Sequence, residues 1–300
     1  MGKIKMLKNA IAYEFNKDFN LTADQIEVAL NQKPYRQLSS HESKSLTVSH
    51  FFENDDKLAY ESEGGHIFIK LTSQAKLLPN DVVNDEVKER VEEIKNNDGR
   101  SISKKELNEI KEEVIFELLP KSFVRRKSTI VMISLKERRL MVDTSSGAKA
   151  DDVTAFLREC LGSLDIKPLQ NTYDVKKRLT GLLKKAPGDF ELLEDFEITS
   201  SLDSQSKLKI KNLTLRSNQI VEYIEEGLLL SQLRINYDDN VEFTLKDNAS
   251  IARIKYAENE TVDNAETKKE AIQTQCFLTS MSINKIFNIL DIEFKINDFE

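Results

Sequence analysis

The length and composition of the chain suit a folded protein with a substantial core. Its 300 residues are 39% hydrophobic and 32% charged, which accommodates two packed subdomains or one elongated domain. No apolar stretch approaches the roughly 20 residues that span a bilayer, so no membrane contact is expected, and no signal peptide is recognisable. Cys160 and Cys276 lie far apart and outside any C-x-x-C motif. They predict neither a disulfide framework nor a zinc site, and they favour a reducing, cytoplasmic location.

The charge of the chain is unevenly distributed. Residues 121–150 hold eight lysines and arginines against Glu137 and Asp143, a net charge of +6. Since the whole chain carries −7, the remaining residues carry −13. A protein polarised in this way can present a basic face to an anionic partner such as nucleic acid, although its net charge is acidic.

The first part of the chain predicts short strands around one helix. Thr22 and Gln25 form a capping box, and Ile26, Ala29 and Leu30 give the helix that follows an apolar stripe. The predicted strands of this part are residues 6–16, 45–52, 57–61 and 65–72.

The next part predicts a hairpin of two helices. Valine and isoleucine recur at helical spacing over residues 80–97, and Gly99 follows the end of that helix. Ser103 and Glu106 form a second capping box for a helix that Pro120 ends. Both helices are acidic, so we expect them not to contact DNA along their length.

The second half mixes helices and strands without the regular alternation of parallel sheets. We therefore predict the α+β class, with mixed short sheets and a protruding antiparallel helical hairpin. Further helices are predicted over residues 148–161, 173–185 and 282–290. Further strands are predicted over residues 128–135, 139–144, 190–198, 206–213, 228–237, 240–246, 250–257 and 275–280. The predicted domains are a central α+β domain of residues 1–78 with 121–170, the helical hairpin 79–120, and a second α+β domain of residues 171–300.

Catalytic motifs do not occur in the sequence. It has no glycine-rich phosphate loop, no H-E-x-x-H and no G-x-S-x-G. Asp143, at a predicted strand end, has two interpretations: a metal ligand of a nuclease, or a carboxylate that caps the strand end. His66 opens a predicted strand and is expected to be structural. We predict a protein that is not an enzyme and that uses no cofactor or metal.

Clusters of basic residues are the positive signal for function. Dense positive charge in an acidic protein favours contacts with phosphates. Few aromatic residues accompany it and no recognition-helix motif occurs, so neither stacking on single strands nor sequence reading is indicated. The candidate DNA-binding residues are Lys121, Arg125, Arg126, Lys127, Lys149, Lys176, Lys177, Arg178, Lys207, Lys209 and Lys211.

Three of these lysines alternate with apolar residues. In a strand, period-two spacing places Lys207, Lys209 and Lys211 on one face, and Leu208 and Ile210 on the other. The lysines then either follow a phosphate backbone or protect an edge strand from aggregation. The spacing alone does not choose between these interpretations.

Phe123 lies between Lys121 and Arg125, just past the predicted helix end. It is either a core residue packed under that helix end or an exposed aromatic residue used in self-association.

Several short motifs occur along the chain in a recognisable order and spacing. They are Lys76-Leu77-Leu78-Pro79, Leu118-Leu119-Pro120-Lys121-Ser122-Phe123, Leu140-Met141-Val142-Asp143, Ala148-Lys149-Ala150-Asp151-Asp152 and Leu161-Gly162-Ser163-Leu164. Together they resemble the recombination-associated RdgC family. The resemblance holds from about residue 65 to 170 and is weaker, but colinear, from 206 to 300. The chain departs from the family at Met6-Leu7, where an aromatic pair is usual, and in residues 34–64, which lack its G-W-x-P-type stretch.

The resemblance implies an elongated, horseshoe-like protomer that forms a ring-shaped homodimer. Such a ring encircles duplex DNA without sequence preference and antagonises the RecA recombinase by occupying DNA. This implies a cytoplasmic, nucleoid-associated protein in which Phe123 lies at one contact of the ring.

Two other functions stay open. The acidic helical hairpin suits a protein-interaction scaffold, in which the lysine strand is merely solvated. Asp143 suits a metal-dependent nuclease.

Overall fold

The structure, a computed structural model, describes residues 6–16, 19–53, 55–169, 175–200, 207–211, 218–257 and 265–295. Within these residues it has two antiparallel sheets and seven α-helices, which confirms the α+β class. The helices are α1 Ala23–Leu30, α2 Asn80–Asp98, α3 Lys104–Leu118, α4 Gly147–Leu161, α5 Val175–Gly181, α6 Asn218–Glu225 and α7 Lys268–Phe294. The strands are β1 Ile11–Phe15, β2 Lys44–Ser49, β3 Ala59–Glu61, β4 His66–Leu77, β5 Phe123–Ser134, β6 Arg139–Val142, β7 Ile166–Pro168, β8 Phe190–Ser200, β9 Lys207–Lys211, β10 Leu228–Tyr237, β11 Val241–Lys246 and β12 Ile251–Tyr256.

The described residues divide into two compact units. Unit 1 comprises residues 1–32, 50–70 and 129–300, and unit 2 comprises residues 33–49 and 71–128. These boundaries differ from the predicted three-part division, because Met132 and Met141 share one core with Leu233 and Phe287. The three-part division stays a prediction.

Unit 1 contains the five-stranded sheet, in the order β12-β11-β10-β8-β9. Hydrophobic side chains of this sheet, among them Phe196 and Phe243, are buried in the same core as α7. Asn284 and Asn288 of α7 are fixed by hydrogen bonds from the Ser134 hydroxyl (3.0 Å) and the Arg139 guanidinium (2.8 Å). The opposite face of the sheet carries polar side chains, among them those of Lys209 and Glu197.

Unit 2 contains the predicted helical hairpin. Helices α2 and α3 bury Val83, Val87, Ile110 and Val114 in a small core of their own. An ion pair between Arg90 of α2 and Glu117 of α3, at 2.6 Å, adds to this packing. The left-handed backbone of Gly99, φ +61°, ends α2 as the sequence predicts.

The predicted strand at 275–280 is wrong, and the predicted helix 282–290 is only part of a longer one. Both segments belong to α7, which begins at Lys268 because the Thr267 hydroxyl accepts the Glu270 N–H at 3.1 Å. The apolar run around Cys276 resembles a buried strand. Its buried residues instead continue the helical spacing of Ile283 and Phe287.

Smaller differences concern the strands and one helix. Helix α6 is not among the predicted helices. Strand β1 is shorter than the predicted 6–16. Strand β5 begins at Phe123, five residues before the predicted 128, because exposed basic residues hide its alternation. Helix α5 ends at Gly181, before the predicted end at 185. The predicted start at 173 and both ends of the predicted strand 206–213 fall on residues outside those described.

Candidate nucleic-acid interface

The lysine strand β9 lies at the edge of the five-stranded sheet, next to β8. Lys207, Lys209 and Lys211 stand opposite Thr199, Glu197 and Asp195. Directly opposed residues of antiparallel strands point to the same face, so the three lysines share a face with two carboxylates. The prediction that the lysines lie together is therefore confirmed.

The apolar pair of β9 behaves only partly as predicted. Ile210 is buried, but Leu208 is 44% exposed. Because β9 is an edge strand, the core covers only one end of its apolar face. The position at the edge also leaves the protective role of the lysines open.

Glu197 lies at the base of the lysine face. Its side chain is only 4% exposed, and its carboxylate accepts a hydrogen bond from the Ser231 hydroxyl at 2.9 Å. Its two oxygens lie 3.4 Å from the Lys207 Nζ and 3.7 Å from the Lys209 Nζ. One buried carboxylate thus pairs with two exposed ammonium groups.

Arg253 of β12 reaches the same face from the other edge of the sheet. Its backbone is left-handed, φ +54°, and its N–H bonds the Asn9 side-chain oxygen at 3.3 Å. Its guanidinium donates to the Thr244 hydroxyl at 3.1 Å and lies 3.4 Å from an Asp195 oxygen. A left-handed backbone costs an arginine conformational energy, and the hydrogen bond to Asn9 helps to offset that cost. The contacts to Thr244 and Asp195 hold the guanidinium at one place on the sheet.

Together these side chains line an open groove of about 350 Å³ on the polar face of the sheet. We call it the cationic groove. Its charged lining consists of Lys209, Lys211, Lys246, Arg253, Asp195 and Glu197. Four cations against two carboxylates leave a net positive charge. Sequence reasoning missed Lys246, Arg253 and Glu197, because only the strand register brings them beside β9.

The basic residues 121–127 belong to unit 2 and lie mostly on β5, a strand rather than a loop. The side chains of Arg125, Arg126 and Lys127 are exposed. None of the three has a carboxylate within ion-pair distance among the residues that the structure describes. Lys121 ends the short 3-10 helix Leu119–Lys121, just before β5. The hydrogen bond from Arg90 is the main cause that lowers the pKa of Glu117, and the charge of Lys121 adds a smaller effect.

The remaining predicted residues lie in unit 1. Lys176, Lys177 and Arg178 are exposed on α5, and the Lys176 Nζ lies 4.0 Å from an Asp247 oxygen. Lys149, in the first turn of α4, is half-buried. None of these four lines the cationic groove.

Phe123 is 83% exposed at the start of β5. The interpretation of Phe123 as a core residue is therefore wrong. Its exposure leaves self-association as the interpretation to test.

Asp143 has a structural task. One carboxylate oxygen accepts the backbone N–H groups of Lys8 and Asn9, both at 2.9 Å. Burial raises the pKa of this carboxyl above its ordinary value, against the opposing effect of those hydrogen bonds. Through Asn9, which accepts the Arg253 N–H, Asp143 also supports the cationic groove.

Asp143 therefore predicts a pH-dependent difference in stability. Asp143→Ala is expected to lower the free energy of unfolding by about 2 kcal/mol, because two amides lose their acceptor. Asp143→Asn keeps an acceptor oxygen without the buried charge. Because the folded-state pKa is raised, that charge costs nothing below the ordinary value of 3.8 and most at neutral pH. In thermal unfolding, the melting temperature of Asp143→Asn should rise relative to that of wild type as pH increases. A difference in melting temperature that does not change with pH would contradict this.

In the described part of the chain, no group of three or more histidine, cysteine, aspartate and glutamate side chains is arranged to hold a metal ion. His66 is buried beside Asn284, and burial lowers its pKa, which fits the structural role predicted for it. Among the described helices, none combines the length and apolar character needed to cross a membrane.

Comparison with known proteins assigns the chain to a family. A family model described as "Putative exonuclease, RdgC" matches residues 6–296. The recombination-associated protein RdgC of Pseudomonas aeruginosa (strain LESB58) is 32% identical over 253 residues, covering 83% of this chain and 82% of its own. Those of Shewanella piezotolerans and Shewanella sp. (strain ANA-3) are 30% and 29% identical, each covering 88% of this chain and 88% and 87% of their own. The chain therefore belongs to the RdgC family of recombination-associated proteins.

Proposed function

We propose that this protein binds double-stranded DNA without sequence preference and acts in homologous recombination. The observation that carries the proposal is the cationic groove, where Lys209, Lys211, Lys246 and Arg253 outnumber two carboxylates. Phosphates are the anions that such a row of cations matches along a duplex. The relatives' names, which refer to recombination, agree with a DNA substrate.

The groove's lining supports backbone contacts rather than base reading. Phe196 is the aromatic residue among its lining side chains, and it is 2% exposed, so the groove offers no ring on which a base could stack. The cations stand on a sheet face instead of on a helix that enters the major groove. Contacts to phosphates position a protein on DNA but carry no sequence information.

The proposal includes a ring-shaped homodimer of horseshoe-like protomers. A twofold pair can close a ring through two isologous contacts, and its axis then crosses the hole at right angles to the DNA. B-DNA has twofold axes in the same orientation. A ring on DNA occupies sites that the RecA recombinase needs, so we propose that the protein inhibits RecA-mediated recombination from the nucleoid, without a cofactor.

Phe123 provides the test of the dimer. Phe123→Ala is expected to weaken the dimer while the fold stays intact, because an 83% exposed ring contributes little to the core. Sedimentation velocity across a concentration series would then show dissociation at higher protein concentration than for wild type. Ile292→Ala, at an 82% exposed position in unit 1, is the matched control. An unchanged dimer in Phe123→Ala would remove this role.

The family description names an exonuclease, which makes catalysis the second candidate. Incubation of the protein with plasmid and linear duplex in Mg²⁺ separates the two functions. Retarded but intact DNA of both forms supports binding without catalysis. Shortened linear DNA would support the nuclease, and Asp143→Asn would then show whether Asp143 takes part.

A further inference from the structure

The cationic groove holds a carboxylate whose role DNA binding leaves unexplained. Glu197 is on β8, between the lysine strand β9 and strand β10. Strand β10 supplies the Ser231 hydroxyl that bonds it, at 2.9 Å, and β9 supplies its two ammonium partners. A buried negative charge is costly and repels anions. Its presence on a surface that binds phosphates therefore calls for an explanation.

Glu197 and its partners differ in their freedom to move. The Glu197 side chain is 4% exposed and cannot turn away, whereas those of Lys207 and Lys209 are 51% and 77% exposed. The lysines can therefore turn towards a ligand, while the negative charge stays at the base of the groove. A phosphate that approaches either lysine meets this fixed charge.

We propose that Glu197 is an intramolecular competitor of the DNA phosphates, which limits how tightly the groove binds duplex. This rests on the proposed function of the groove. Glu197 occupies Lys207 and Lys209 in the free protein, so binding must replace one ion pair with another. Lys211 and Lys246 have no ion-pair partner among the described residues and make the first contacts. A sequence-indifferent binder needs this limit, because a protein held too tightly at one site cannot leave it.

Arg253 and Asp195 show the contrast within the same groove. They pair at 3.4 Å, one cation with one carboxylate. Asp195 is less buried than Glu197, with a side chain 32% exposed, so solvent screens its charge more strongly. Glu197 combines a buried charge with two cationic partners, which makes it the residue whose neutralisation changes the groove most.

Glu197→Gln tests the proposal with little change in shape. The glutamine keeps an oxygen for the Ser231 hydroxyl and removes the charge. We expect duplex binding about five- to tenfold tighter at low salt, with a salt slope steeper by about 0.9 for each lysine that newly pairs with a phosphate. The matched control is Glu191→Gln, on the same strand, where an exposed carboxylate bonds Asn236 at 2.9 Å. It changes the net charge equally and should alter the affinity less than twofold.

A second variant checks the mechanism. In Lys207→Ala with Lys209→Ala, adding Glu197→Gln should bring a much smaller gain, because the competed cations are absent. A full gain in that background would overturn the proposal. So would affinity equal to or weaker than wild type for folded Glu197→Gln, since Glu197 would then position the lysines. If wild-type protein binds no duplex, the proposed function fails and this inference with it.

Discussion

Replacing Lys207, Lys209 and Lys211 together with alanine is expected to weaken duplex binding about 100-fold at low salt. Each lysine that contacts a phosphate contributes about 1 kcal/mol, and 1.4 kcal/mol is a factor of ten. All sequences should lose affinity alike, and the salt slope should fall by about 0.9 for each phosphate that no longer pairs with a lysine. Anisotropy titrations of two unrelated duplexes at several salt concentrations measure both effects.

The control for this variant is a triple change on the acidic helical hairpin. Lys104, Lys105 and Lys111 are exposed on α3, and their replacement by alanine changes the net charge equally. The β9 variant also removes both cationic partners of Glu197. The double variant Lys211→Ala with Lys246→Ala therefore gives a second measurement of duplex affinity, in which the ion pairs of Glu197 with Lys207 and Lys209 stay in place. If the β9 lysines only protect an edge strand, the affinity and slope stay unchanged while the variant aggregates more readily.

Arg139→Ala is expected to have the largest effect on stability, lowering the free energy of unfolding by about 3 kcal/mol. The Arg139 side chain is 4% exposed and pairs with Asp291, bonds Asn288, and lies over the Phe287 ring. Its loss would remove the buried guanidinium partner of Asp291, while the more exposed ion pair to Lys295, at 3.5 Å, would stay in place. Removing one partner of a buried pair costs more than the pair contributes, because the other charge stays behind.

Chemical denaturation of Arg139→Ala measures this loss directly. Arg126→Ala, which removes an exposed arginine, should change the free energy of unfolding by less than about 0.5 kcal/mol. Arg139→Met combined with Asp291→Leu should regain much of the stability, since an apolar pair of similar volume needs no partner. A loss below about 1 kcal/mol for Arg139→Ala would mean that this ion pair behaves like a surface pair.

The sequence predicts those features that depend on local spacing. Apolar periodicity and the Ser103 cap predict the helical hairpin, and the alternation of lysines in β9 predicts their common face. Helix α7 escapes prediction where its apolar residues run together around Cys276, because a short apolar run fits a buried strand equally well.

The groove itself could be predicted only in part, because its composition depends on which strands are neighbours. Glu197 meets Lys209 through the register of β8 and β9, and Arg253 reaches the groove through a left-handed backbone. Neither residue stands in a recognisable motif. A strand pairing that puts acidic β8 residues opposite the lysines is the signal that reveals the groove.

The most direct test of duplex binding is an anisotropy titration of a labelled random-sequence duplex and of a single strand of the same length, repeated across salt concentrations. We predict tight binding of the duplex, indifference to its sequence, weaker binding of the single strand, and a steep decrease of affinity with salt. No duplex binding at low salt would contradict the account. The acidic net charge of −7 would then be the better guide, and the helical hairpin of unit 2 would become the candidate interaction surface.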